Sequence, residues 1–190
     1  VLTMDLHADQ IQGFFDIPVD NLFAAPTFVQ HIKKNIKSKK LVCVAPDVGG
    51  VERARAIAKR LSADLAIIDK RRSGPGTSEV MNVIGDVRNK ICVIIDDLVD
   101  SGGTIVNAAS ALKNKGAKDV YAYVVHGVLT GQAVKKINNS KIKKFVISNS
   151  IMNFKKIKNS KKFQIISVGT LFAEAIKRIS ISKSVSKLFK

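Results

Sequence analysis

The stretch Cys92-Val-Ile-Ile-Asp-Asp-Leu-Val-Asp-Ser-Gly-Gly-Thr-Ile105 decides the fold and holds the best candidate for a binding site. Its apolar run predicts a buried strand over 91–95, which ends in two adjacent carboxylates, Asp96 and Asp97. A small-residue loop then leads into a helical pattern, and such a loop binds anions because its N–H groups and the helix dipole point at the ligand. The acidic pair would repel phosphate, so it is expected to face hydroxyls or a metal. Together the two features predict a site for a sugar phosphate.

Other roles for this stretch explain fewer of its residues. An ordinary strand–turn–helix connection with solvated aspartates remains open, but three carboxylates, with Asp100 as the third, and Gly102-Gly103-Thr104 exceed what helix capping needs. The loop is not a Walker motif, because no Lys follows the glycines, and it lacks the spacing of a dinucleotide fingerprint. The sugar-phosphate hypothesis is therefore preferred.

Strand and helix patterns alternate along the chain. The predicted strands are 1–5, 41–45, 65–69, 91–95, 120–125, 145–148 and 164–168, and the predicted helices are 8–15, 25–36, 51–61, 104–115, 131–138 and 171–179, with loops over 17–21 and 70–78. This order predicts an α/β fold with a doubly wound parallel sheet. Asp47, Lys70, Asp96 and His126 each follow a strand, so we expect them to converge at the carboxyl edge of the sheet. In the helix 51–61, Arg53 is expected on the outer, solvated face.

Composition restricts the class of protein. The 190 residues, of which 46% are hydrophobic, suit one domain with appendages, and no apolar run approaches the roughly 18 residues of a membrane span. No secretory signal pattern is present, and Cys43 and Cys92 lie in apolar stretches, which predicts buried thiols and a cytoplasmic protein.

The formal net charge of +17 raises nucleic acid as a partner. Lysine dominates the charge, aromatic residues make up only 6% of the chain, and no aromatic interleaving suggests a base-stacking platform. Nucleic-acid binding is therefore not the expected function.

Side by side, the loops resemble those of the ribose-phosphate pyrophosphokinase family. The matching runs are Met4-Asp-Leu-His-Ala-Asp-Gln-Ile-Gln-Gly-Phe-Phe-Asp-Ile-Pro-Val-Asp20, Pro46-Asp-Val-Gly-Gly-Val51, Ile67-Ile-Asp-Lys-Arg-Arg72, Glu79-Val-Met-Asn-Val-Ile-Gly-Asp86, the Asp96–Thr104 loop, Gly116-Ala-Lys118, His126-Gly-Val-Leu-Thr-Gly131 and Ala173-Glu-Ala-Ile176. The resemblance is collinear over nearly the whole chain and implies a type I phosphoribosyltransferase-like fold.

The resemblance also implies an activity in nucleotide biosynthesis: transfer of pyrophosphate from MgATP to the C1 hydroxyl of ribose 5-phosphate. By this resemblance, Asp96 and Asp97 would bind ribose hydroxyls, and Asp100, Ser101, Gly102, Gly103 and Thr104 would hold the 5-phosphate. Lys70 and Arg72 would be catalytic cations, and His7 and Asp47 would belong to a Mg²⁺ site. From the residues alone, His7 suits a structural histidine, Asp47 a helix cap and Lys70-Arg71-Arg72 a solvated charge run, and these alternatives stay open.

The resemblance also predicts the domain organisation. Family members have two similar halves, and residues 1–22 match the last strand and helix of the first half. Residues 23–170 would be the phosphoribosyltransferase-like domain, and 171–190 a C-terminal helix and tail. Residues 1–22 are expected to expose apolar surface. The family implies a homo-oligomer or a pairing with a complete synthase, and the alternative function is an inactive or regulatory sugar-phosphate-binding fragment.

Overall fold

The computed structural model describes residues 1–71 and 80–189. Its strands are β1 (Leu2–Met4), β2 (Asp20–Leu22), β3 (Leu41–Ala45), β4 (Asp64–Arg71), β5 (Val80–Ile84), β6 (Ile91–Val99), β7 (Asp119–Gly127), β8 (Lys144–Ser148) and β9 (Phe163–Ile166). Its α-helices are α1 (Ala25–Asn35), α2 (Val51–Leu61), α3 (Gly103–Asn114), α4 (Ala133–Asn138), α5 (Phe154–Ile157) and α6 (Gly169–Ser180), and two 3₁₀ helices span Asp9–Phe14 and Val185–Leu188.

The described strands β3 to β9 form one sheet in the order β5-β4-β3-β6-β7-β8-β9. All neighbours are parallel except β4 and β5, which pair antiparallel from Ile67 opposite Ile84 to Arg71 opposite Val80. The predicted α/β fold with a doubly wound sheet is confirmed, with one antiparallel edge strand. The strand β5 was not predicted, because a short strand at a sheet edge carries little of the apolar signal that marks a buried one.

Helices cover both faces of the sheet. Because alternate side chains of a strand face opposite sides, Val42 and Val44 pack in one apolar cluster while Cys43 and Ala45 pack in the other. The first cluster includes residues of α3, α4 and α5, and the second includes residues of α1, α2, α6 and the β1–β2 pair. Both cysteines are buried free thiols, as expected, and burial raises the pKa of each to about 12.

Two strands run further than their apolar patterns predict. β6 continues through the acidic pair to Val99, because β7 pairs with it as far as Val99 opposite Gly127. β4 continues to Arg71, so the predicted loop over 70–78 was wrong at its first two residues: Lys70 pairs with Met81 of β5. Cross-strand pairing supplies hydrogen bonds that a local pattern does not reveal.

The helix α3 ends close to where the sequence predicts. Gly116, two residues past Asn114, has φ of 87°, and the N–H of Ala117 donates to the carbonyl of Leu112 at 3.0 Å. A left-handed residue just after a helix suits glycine, which has no Cβ to clash.

The first 22 residues form a small parallel pair, β1–β2, that shares the second apolar cluster with α1 and α6. The predicted helix over 8–15 is a 3₁₀ helix, and β2 occupies part of a segment that was expected to be a loop. Apolar side chains here are exposed, as expected: Phe14 is 87% and Ile17 59% accessible. In the described part of the chain, no helix is long and apolar enough to cross a membrane.

Candidate functional site

A cavity of about 210 Å³ lies at the carboxyl end of β6. It brings together nine of the predicted site residues, and its lining includes His7, Asp47, Asp96, Asp97, Asp100, Ser101, Gly102, Gly103 and Thr104. These residues come from three separate parts of the chain, so their shared cavity is a result of the fold. Of the other predicted site residues, Lys70 lies beside this group, and Arg72 lies outside the described residues.

The floor of the cavity is the connection between β6 and α3. Gly102, at the N-cap of α3, has φ of 77°, and its carbonyl accepts from the N–H of Val106 at 3.1 Å. The carbonyl of Asp100 accepts from the N–H of Thr130 at 3.1 Å, which anchors the loop to the chain that follows β7. A 12-residue helix therefore starts from a fixed glycine loop, the arrangement that binds a phosphate group.

The acidic pair has two different environments. Oδ2 of the buried Asp97 lies 2.8 Å from Nδ1 of His7 and 3.5 Å from Nη2 of Arg53. Although burial raises the pKa of Asp97, the Arg53 guanidinium and the His7 hydrogen bond outweigh it and hold that pKa below its usual value. Burial, with the neighbouring Asp97 carboxylate, raises the pKa of Asp96 to about 7. Two adjacent carboxyls can thus differ in charge. The ionised one can accept a hydrogen bond from a hydroxyl, and the protonated one can donate a hydrogen bond to a hydroxyl.

Asp5 and His126 hold the segment that carries His7. The buried Asp5 carboxylate accepts from the N–H of Ala24 at 2.7 Å, and its Oδ1 lies 3.7 Å from Nε of Arg53. Nε2 of His126 lies 3.0 Å from the carbonyl oxygen of Met4 and 3.2 Å from that of Asp5. His126 was expected at the same edge of the sheet, but it contacts the N-terminal segment and does not line the cavity.

Asp47 serves two neighbours. Its Oδ1 accepts from the N–H of Gly50 at 3.0 Å, and its Oδ2 lies 3.7 Å from Nζ of Lys70. Gly50 itself is the N-cap residue of α2, and this cap makes no side-chain hydrogen bond, so the helix-capping alternative for Asp47 is wrong. The carboxylate of Asp47 lines the cavity. Lys70 is the one predicted cation that the described residues include, and β4 holds it at the cavity edge.

The described side chains offer few ligands for a metal ion. Among residues 1–71 and 80–189, no group of three or more His, Cys, Asp and Glu side chains could hold a metal ion. His7 and Asp47 do line the same cavity, together with Asp96 and Asp97. Mg²⁺ commonly takes one or two carboxylates and completes its shell with phosphate oxygens and water. Asp47, Asp96 and Asp97 therefore offer the carboxylate oxygens that Mg²⁺ takes.

Two residues of the site were not predicted from the sequence. Arg53 was expected on the solvated face of α2, but its side chain is only 23% accessible and lies between two carboxylates. Asp5 was not identified, although it is 3% accessible. Helical spacing does place Arg53 one turn after Gly49-Gly50, which is the only local signal, and no pattern marks the long-range partner of either residue.

The chain is similar to known proteins over its whole length. The family model described as "Phosphoribosyl synthetase-associated domain" matches residues 72–190. A ribose-phosphate pyrophosphokinase of Bradyrhizobium diazoefficiens is 55% identical over 189 residues, which are 100% of this chain and 60% of that protein. One of Brucella melitensis is 56% identical over 189 residues, 100% of this chain and 61% of that protein.

A solved structure agrees with these similarities. The crystal structure of phosphoribosylpyrophosphate synthetase from Mycobacterium smegmatis has a TM-score of 0.86 and 34% identity, and the match covers 95% of this chain and 58% of that chain. The chain therefore spans about 60% of the length of the curated relatives that it matches.

Proposed function

Because the chain belongs to the phosphoribosyl synthetase-associated domain family, we propose that it is the ribose 5-phosphate-binding part of a ribose-phosphate pyrophosphokinase. The observation that carries the proposal is the shared cavity of the acidic pair and the glycine loop. The activity of the whole enzyme would be transfer of the β,γ-pyrophosphoryl group of ATP to the C1 hydroxyl of ribose 5-phosphate.

The cavity matches the two ends of this sugar phosphate. The N–H groups at the start of α3 suit the 5-phosphate, because they carry the positive end of the helix dipole. Asp96 and Asp97 suit two vicinal hydroxyls, because carboxylate acceptors and a neutral carboxyl donor complement the hydroxyl groups. A phosphate alone would explain the loop but not the carboxylates.

The edge of the cavity beside Lys70 suits the pyrophosphoryl group. In the transfer, the C1 oxygen bonds to the β-phosphorus, the bond from that phosphorus to the α–β bridging oxygen breaks, AMP leaves, and the hydroxyl proton is released. Such transfers depend on positioning and charge neutralisation. Lys70 is the described cation beside this edge, and Arg72 is proposed as a second one.

Mg²⁺ is proposed as a companion of ATP. When bound, it would neutralise charge on the phosphate oxygens, with Asp47 and His7 as candidate protein ligands. The carboxylate of Asp47 is about half exposed, with 47% of its side chain accessible, so it is open to an incoming ion. His7 would contribute the ring nitrogen Nε2, since Nδ1 contacts Asp97.

Calorimetric titration with ribose 5-phosphate tests the sugar-phosphate site. We expect binding by the wild-type chain, and no measurable binding by the Asp96→Asn/Asp97→Asn double variant with its fold intact by circular dichroism. The exposed Asp16→Asn is the matched control and should bind as wild type does. Equal affinity of the double variant and the wild type would reject the assignment of the acidic pair.

AMP release separates enzyme from binding fragment. The purified chain would receive MgATP with and without ribose 5-phosphate. AMP release that requires ribose 5-phosphate, and that the Asp96→Asn/Asp97→Asn variant does not show, would support synthase activity of these 190 residues. Binding of ribose 5-phosphate without AMP would support the second candidate, a sugar-phosphate-binding part. Such a part would act within a homo-oligomer or with a complete synthase.

A further inference from the structure

The geometry points to Arg53 as a positioning residue that sets the orientation of the Asp97 carboxylate in the candidate site, an inference that rests on the proposed function. Arg53 is on α2, and it does not belong to the acidic pair or the glycine loop. Its proposed role is to hold Asp97 so that a sugar hydroxyl meets a carboxylate in the correct orientation.

Arg53 links two carboxylates from different parts of the chain. Its Nη2 lies 3.5 Å from Oδ2 of Asp97 on β6, and its Nε lies 3.7 Å from Oδ1 of Asp5, just after β1. The two carboxylates are 4% and 3% accessible, so neither is well solvated. A planar guanidinium can contact two acids with different nitrogens at once, whereas an ammonium group is a single point charge.

Asp5 is a fixed anchor for this bridge. Its N–H donates to the carbonyl of Leu22 at 2.8 Å, and its Oδ2 accepts from the N–H of Ala24 at 2.7 Å. Its carbonyl oxygen contacts Nε2 of His126 at 3.2 Å. These three contacts hold the backbone and the side chain of Asp5, so the guanidinium that bridges from Asp5 has a defined position.

The bridge determines which oxygen of Asp97 faces the protein. Arg53 and His7 both contact Oδ2, so that oxygen is turned toward these two partners and away from the role of substrate acceptor. Neither Arg53 nor His7 contacts Oδ1 in these ion pairs, so a hydroxyl of the ligand would meet that oxygen, beside the neighbouring Asp96 carboxyl. His7 alone is a weaker constraint, because its side chain is 78% accessible and can move. Arg53 is only 23% accessible and is the better-held of the two partners.

Two ligands distinguish positioning from general support of the fold. Ribose 5-phosphate uses the acidic pair and the glycine loop, whereas inorganic phosphate uses only the loop. In calorimetric titrations, Arg53→Met should weaken ribose 5-phosphate binding by about ten- to a hundredfold. This is the contribution of one hydrogen bond to a charged group, here the bond between a sugar hydroxyl and the Asp97 carboxylate. Its affinity for inorganic phosphate should stay within about twofold of wild type. The control is Arg55→Met, an exposed arginine on the same helix, which should bind both ligands as wild type does.

A second variant covers the case in which Arg53→Met does not fold, since removal of one partner leaves buried charge unpaired. Arg53→Lys keeps the charge but cannot bridge both carboxylates, so it should show a smaller loss for ribose 5-phosphate and none for phosphate. Equal losses for both ligands, or wild-type affinities in the folded arginine variants, would overturn the positioning role while leaving the proposed function intact. If wild type binds neither ligand, the proposed function fails, and the inference fails with it.

Discussion

Gly102 and Gly103 stand side by side in the β6–α3 connection, but they lack a side chain for different physical reasons. Gly102 has φ of 77°, which L-residues rarely adopt, and a methyl group there would meet Cδ1 of Ile137 at 3.4 Å. Gly103 begins α3 without a left-handed φ, and an added Cβ would meet no described atom within 4 Å, although the residue lines the cavity. Alanine should therefore change stability in opposite directions at the two positions.

The expected magnitudes follow from these environments. A left-handed alanine costs about 1–2 kcal/mol, and the contact with Ile137 adds little, because 3.4 Å is an ordinary van der Waals distance. Gly102→Ala should thus lower the free energy of unfolding by about 1–2 kcal/mol, or the Tm by about 2–8 °C in a chain of this size. Gly103→Ala should raise the free energy of unfolding by about 0.4–1 kcal/mol, because alanine restricts the unfolded chain.

Phosphate binding adds a second readout. The methyl group of Gly103→Ala would occupy open space at the cavity, where the phosphate is proposed to approach the backbone. This variant should therefore lose at least about tenfold in affinity for inorganic phosphate while gaining stability. Urea denaturation gives the stability of both variants, and calorimetric titration gives the affinity.

Two outcomes would contradict this account of the glycine loop. Wild-type stability in Gly102→Ala would mean that the loop does not require the left-handed conformation. Wild-type phosphate affinity in Gly103→Ala would mean that the phosphate does not bind close to this residue.

Two further predictions concern the acidic pair and the N-terminal segment. Burial raises the pKa of Asp96 to about 7, so from about pH 4 to 7 the native state keeps a proton that the unfolded chain loses, and stability should fall as pH rises. In urea unfolding with EDTA, the free energy of unfolding of Asp96→Asn should not show this decrease with pH. A difference in the free energy of unfolding between variant and wild type that does not change with pH would contradict the prediction. His126→Ala should leave the carbonyl oxygens of Met4 and Asp5 without their partner, which costs about 1–3 kcal/mol. Hydrogen exchange of the Asp5 amide should then accelerate, while the exchange of the β6 amides stays unchanged. Equal protection of the Asp5 amide in variant and wild type would mean that His126 does not hold the N-terminal segment.

Much of the site could be predicted from the sequence because it is locally encoded. Asp96, Asp97 and the glycine loop are consecutive in the chain, so a strand, a loop and a helix start already place them together. The predicted convergence of Asp47 was also confirmed, since both Asp47 and the acidic pair line one cavity. The carboxyl ends of parallel strands meet at one edge, and the order of strands and helices is enough to predict that.

The features that were not predicted share a physical cause. Arg53 has the spacing of an outer-face residue on an amphipathic helix, and only the approach of Asp5 and Asp97 makes it a half-buried ion-pair partner. The strand β5 carries a weak pattern, and its pairing with β4 is what stabilises it. Both depend on contacts with other elements of the fold, which the local pattern of the segment itself does not encode.

Local patterns of apolar, small and charged residues were enough to determine the alternation of strands and helices, the burial of both cysteines and the glycine loop at the start of α3. Tertiary contacts alone determined which carboxylate is paired, how His7 reaches Asp97, and that Arg53 and Asp5 support the site. Those features arise where β1, α2 and β6 meet. Charges that are far apart in the unfolded chain acquire strong interactions there, because the fold removes them from water.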